Sequence, residues 1–186
     1  MIDPEVPSTI AGPALIAKVA AEVRRRPPRC GTVRVVAVDG GAGAGKTTFA
    51  DRLARALDAA VVHTDDLIDG WAGQFEFAET LRTQILAPLA QGEPGHYRRY
   101  DWTVESFGEL VPVPVPAVLV VEGVSAIAAC AEAAAYRIVL QVPRAERERR
   151  WRQRDQMDLQ PEWTAWLDAE DAYFAAHPPP TDLILG

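Results

Sequence analysis

Strands alternate with helices along this chain of 186 residues, and the alternation predicts a three-layer α/β/α fold, a parallel sheet of about five strands covered by helices on both faces. Residues 33–39, VRVVAVD, form an apolar, β-branched run of the kind a fully buried strand requires. A glycine-rich loop follows at once, and after it comes a segment with helical spacing. The chain has 48% apolar and 24% charged residues, as an ordinary globular domain has. Its length corresponds to a single domain.

The loop is the most informative stretch. Gly40, Gly41, Ala42, Gly43, Ala44, Gly45, Lys46 and Thr47 fit the phosphate-binding pattern G-x-x-x-x-G-K-[ST], with Thr48 following. Glycines let successive backbone N–H groups curl around phosphate oxygens, and the next helix turns its positive end toward the same anion. Lys46 supplies a mobile charge for the β- and γ-phosphates, and the Thr47 hydroxyl is placed to ligate Mg²⁺. The motif in its strand-loop-helix setting predicts a site for ATP with Mg²⁺ and a phosphate-loop NTPase fold.

Residues 1–12 carry prolines and no apolar period, and are expected to be irregular. Residues 13–26 read as a helix with Leu15, Ile16, Val19 and Val23 on one face, stopped by Pro27 and Pro28. Arg24, Arg25 and Arg26 suit its C-terminal end as a solvated helix terminus. After the loop, a helix to Asp58 has Phe49, Leu53 and Leu57 facing the sheet. Residues 60–63 make a short strand that delivers Asp65 and Asp66 to its carboxyl end, where open α/β sheets gather ligands. Both are candidate acceptor-side carboxylates, Asp65 also a metal-side one, and one of them is expected to cap the next turn.

Residues 70–77, GWAGQFEF, read as a pocket rim that includes Trp71. Residues 79–91 should be a helix that Pro88 kinks or ends early. Residues 92–108 mix Tyr100, Trp102 and several charged groups, as polar-ligand sites do and as an exposed edge hairpin also does. VPVPVP at 111–116 is expected to be a stiff connector. Residues 117–121 form a buried strand ending in Glu122, a second metal-side acid. Residues 137–142 form another strand. The helix from Arg144 to about residue 157 has Arg147, Arg150 and Arg154 on one face, and is expected to be a cationic lid over the triphosphate. A last helix at 161–176 has Trp163 and Trp166 as core or interface residues, and 182–185 is a final short strand.

The net charge of −7 argues against a general nucleic-acid binder. No apolar run reaches the ~20 residues of a membrane span, and the first residues lack signal-peptide order, so the cytoplasm is the expected compartment. Cys30 and Cys130 make no metal-ligand spacing and are expected to be free thiols.

Taken in order, the loop at 40–48, HTDDLIDGW, the YDW at 100–102, the VVEG at 120–123, the arginine helix and the closing PTDLIL resemble the uridine kinase branch of the phosphate-loop kinases. The resemblance covers nearly the whole chain after Thr32. It implies Asp65 facing the acceptor hydroxyl, Thr47 and Glu122 holding Mg²⁺, Tyr100 lining the acceptor site, and Arg147, Arg150 and Arg154 contacting phosphates. It also implies a kinase acting on a small molecule, with a nucleoside as the first acceptor to consider; another metabolite, or an ATP-binding switch, is the alternative. An Asp-His-Pro stretch that such kinases use to grip the nucleoside is missing: the interval is shorter and reads QFEFAETL.

Overall fold

The computed structural model describes residues 11–155 and 161–186, and of these the side chains of Ala72, Arg154 and Asp155 are outside the description. Five parallel strands form the main sheet: β1 (Arg34–Asp39), β2 (Ala60–His63), β5 (Val118–Glu122), β6 (Ala134–Leu140) and β7 (Leu183–Leu185), in the order β2-β5-β1-β6-β7. Every pairing within it is parallel. The predicted three-layer architecture is therefore the observed one.

The central strands are apolar along most of their length because each side of the sheet has its own core. Val36, Val38, Val118 and Val120 meet α1 (Pro13–Arg25) and α2 (Lys46–Leu57) through Val19, Val23, Phe49 and Leu53. Val35, Ala37, Leu119 and Val121 face the opposite way, toward Ile85, Leu89, Ile127 and Trp166. That second layer contains α3 (Ala78–Thr80), α4 (Ala87–Ala90), α5 (Ala126–Cys130) and α7 (Pro161–Ala176).

Pro88 neither ends nor precludes its helix. Between α3 and α4 the chain is π-helical over Leu81–Leu86, and the Ala87 N–H reaches back to the Arg82 carbonyl. The wider turn just before the proline relieves the ring's clash with the preceding turn and absorbs its missing donor.

Residues 95–113 form an antiparallel hairpin, β3 (Gly95–Asp101) with β4 (Ser106–Val113), apart from the main sheet. The expectation of a connector at 111–116 is corrected in its first half: Val111 pairs with Tyr97 and Pro112 with His96. A two-stranded ladder has two edges, so Pro112 needs no ladder partner on its outer side. β6 also begins three residues before the expected Arg137. Both cysteines are free and buried. Among the described residues, no helix is long and apolar enough to cross a membrane.

Candidate functional site

The strand order assembles the site. β5 lies between β2 and β1, in a register that sets His63 beside Glu122 and Val38 on Glu122's other side. The segments leaving these three strands therefore open at one edge: the phosphate loop after β1, Asp65 after β2 and Glu122 at the end of β5. A cleft of about 460 Å³ results, lined by Ala42, Gly43, Gly45, Lys46, Thr47 and Thr48 on the loop side, and by Asp65, Trp71, Trp102, Glu122 and Arg150 around it. Residues drawn from five distant stretches of sequence share this one space.

The loop is built as its glycines require. Gly45 occupies the left-handed region at φ 91° immediately before α2, so the helix begins at Lys46 with its N-terminal amides turned into the cleft. Lys46 Nζ donates to the Gly41 carbonyl at 3.2 Å. Its charge favours the ionised forms of four acids, Asp39, Asp65, Glu122 and Glu170.

Thr47 Oγ1 donates to Glu122 Oε1 at 3.1 Å. The same carboxylate oxygen lies 2.7 Å from His63 Nδ1. Burial opposes charge on Glu122, yet these partners and Lys46 together hold its carboxyl below the usual range, so it stays ionised. A hydroxyl beside an ionised carboxylate is a donor set of hard oxygens, suited to Mg²⁺. Among the described residues no group of three His, Cys, Asp or Glu side chains converges.

Asp65 is exposed and lines the cleft. Desolvation raises its carboxyl above the usual value, with Lys46 pulling the other way and Glu122 adding to the rise. Trp102 Nε1 donates to the Asp65 carbonyl at 3.2 Å and ties the hairpin to this turn.

Other expected site residues go elsewhere. Asp66 turns away from the cleft and accepts from Tyr97 Oη at 3.1 Å and Arg99 Nε at 3.2 Å, so it braces the hairpin and caps no helix. Tyr100 is buried behind Trp102, ring centroids 5.1 Å apart, and backs the cleft wall without lining it. Arg147 of α6 (Arg144–Asp155) is buried and doubly paired, to Glu170 Oε2 at 3.0 Å and Asp171 Oδ1 at 2.6 Å. Paired to two carboxylates, the guanidinium links α6 to α7, and its Nη1 also reaches the Ala42 carbonyl of the loop at 3.4 Å. Arg150, one turn on, does line the cleft. The Arg154 side chain lies outside the described residues. Ala44 is buried under the loop, and Gly40 and Gly41 border a second cavity of about 420 Å³ on the loop's other side.

Sequence reasoning missed three acids or bases. Glu170, wholly buried, accepts the Ala42 N–H at 2.9 Å and Trp166 Nε1 at 2.7 Å. Asp39 accepts the N–H groups of Gly40, Ser125 and Ile127, and so caps the start of α5 from the end of β1. His63 and Glu170 look in sequence like any surface polar residue of a short strand or an acidic helix. Trp166 is buried in the core as expected, and both it and Trp163 also border the cleft.

No protein-family model matches the chain, and no curated protein matches it either. Solved structures do. A possible uridine kinase from Bacillus stearothermophilus superposes with a TM-score of 0.68 at 19% identity, over 92% of this chain and 97% of that one. A candidate fructose transport system kinase from Silicibacter sp. TM1040 gives 0.68 at 22% identity, over 92% and 98%. The fold is that of the phosphate-loop kinases. At such identities the likeness reaches the fold and stops there.

Proposed function

We propose that this protein is an ATP- and Mg²⁺-dependent phosphotransferase that moves the γ-phosphoryl group to a hydroxyl of a small molecule. One observation carries the reading: the Thr47–Glu122 pair and Lys46 share a cleft with the carboxylate of Asp65.

In this reading the loop amides, Lys46 and Arg150 hold the phosphates, and the base of the nucleotide lies beyond Gly40 and Gly41, in the cavity walled by Val142, Phe174, Pro178 and Pro179. Thr47 and Glu122 hold Mg²⁺, which when bound neutralises charge on the β- and γ-phosphates. Asp65 accepts the acceptor's hydroxyl proton as the oxygen forms its bond to γ-phosphorus and the bond to the β-phosphate oxygen breaks, leaving ADP. Positioning and charge neutralisation supply most of the acceleration in such transfers.

The deciding experiment is ATP consumption by purified protein with Mg²⁺ against a panel of alcohols, with a control lacking acceptor. Stimulation by an acceptor, with a phosphorylated product, supports the proposal. A slow rate indifferent to every alcohol overturns it in favour of an ATP-binding switch.

A further inference from the structure

The chain has five tryptophans, and all five, Trp71, Trp102, Trp151, Trp163 and Trp166, line the cleft that contains Asp65. They arrive from four places: the turn after β2, the hairpin, α6 and α7. Trp71 is the hub, its ring centroid 5.4 Å from Trp102, 5.7 Å from Trp163 and 5.5 Å from Trp166, all edge to face. Trp71 and Trp102 nevertheless remain 43% and 37% exposed. A contiguous indole surface left open beside a catalytic carboxylate is a ligand wall.

Several polar side chains near that wall are already engaged. Asp66 serves Tyr97 and Arg99, Gln74 Nε2 reaches the Trp166 carbonyl, Trp102 Nε1 the Asp65 carbonyl, and Trp166 Nε1 Glu170. Away from the phosphate loop, Glu122 and Arg150, Asp65 is the charged side chain that lines the cleft among the described residues. Two buried side-chain polar atoms among the described residues are without a partner, Trp151 Nε1 and Thr64 Oγ1.

Resting on the phosphotransferase reading, we infer that the cleft takes an aryl alcohol: a flat apolar ring bearing the hydroxyl that meets Asp65. A free sugar or a nucleoside is disfavoured. Each hydroxyl or base edge left without a partner against indole weakens binding by roughly 10- to 100-fold, and such molecules carry several. A ring face stacked on Trp71 gains dispersion and quadrupole attraction without needing those partners.

The test uses the full-length protein saturated with Mg²⁺ and adenylyl imidodiphosphate, titrated calorimetrically with 2-phenylethanol, glucose and uridine. 2-Phenylethanol is expected to bind at least about tenfold more tightly than the other two, with Trp71→Ala losing about tenfold and Trp71→Phe recovering most of it. Glucose or uridine binding as tightly, undetectable 2-phenylethanol binding, or an affinity indifferent to Trp71→Ala overturns the inference. A parallel assay with ATP separates the two claims. Phosphorylation of uridine or glucose keeps the kinase reading and defeats the aryl-alcohol site. Trp71-dependent 2-phenylethanol binding with no phosphorylated product keeps the site and defeats the kinase reading.

Discussion

Glu170 Oε2 accepts the backbone N–H of Ala42 at 2.9 Å, across 128 residues of sequence. A carboxylate on the last helix is thereby fastened to the phosphate loop, and the same side chain holds Trp166 and Arg147. The loop's position thus depends on a helix that the loop motif says nothing about.

Glu170→Ala removes three hydrogen-bond partners at once and leaves the buried Arg147 with one carboxylate partner, Asp171. Breaking such a buried pair costs about 3–5 kcal/mol, and in a chain of this size each kcal/mol lowers the melting midpoint by about 2–4 °C. Calorimetric melting should therefore show a fall of about 10 °C, and Glu170→Gln a smaller one. An unchanged midpoint for Glu170→Ala would refute the clamp.

Lys46→Ala should weaken triphosphate binding by roughly 10- to 100-fold, the value of a charged hydrogen-bonding partner to phosphate. Titration with a fluorescent ATP analogue reads the loss. Wild-type affinity in the variant would remove Lys46 from the proposed phosphate site.

Asp65→Asn keeps shape and takes away the proton acceptor. Nucleotide affinity should stay near that of the wild type while phosphoryl transfer falls about 10²- to 10⁴-fold. Single-turnover transfer with any accepted alcohol measures it; full transfer rates in Asp65→Asn would exclude Asp65 as the base.

His63 touches the same Glu122 oxygen as Thr47, so it orients a proposed metal-side carboxylate. His63→Ala should raise the Mg²⁺ concentration for half-maximal nucleotide binding by about tenfold or more. A Mg²⁺ dependence identical to wild type would count against that role.

Asp39 gives the pH prediction. Burial raises its carboxyl to about 6 from an ordinary value of 3.8, against the N–H groups it accepts. Between those values the folded state binds more protons than the unfolded one, so this group's contribution falls as pH rises through the window and stays low above about 6. The effect is of the order of 3 kcal/mol. Melting midpoints of wild type and Asp39→Asn, measured in chelator from pH 4 to 7, should diverge in slope across that window. Parallel profiles would contradict the assignment.

By itself the sequence determined the architecture and the phosphate loop. Both are local facts: an apolar β-branched run, glycines at fixed spacing and an amphipathic period act over a few residues. Thr47, Glu122, Asp65, Trp71 and Trp102 were legible because each follows a strand or sits beside a turn signal. The neighbours of those residues were not legible. Only the tertiary structure decided that β5 lies between β2 and β1, bringing His63 to Glu122. It also decided that Arg147 is consumed by Glu170 and Asp171, and that Asp66 and Tyr100 support the hairpin in place of the cleft. A charge on a helix face reads the same in sequence whether it meets water or a buried partner. Which of the two it meets is set by strand order and helix docking, and these come from burying two cores on one sheet.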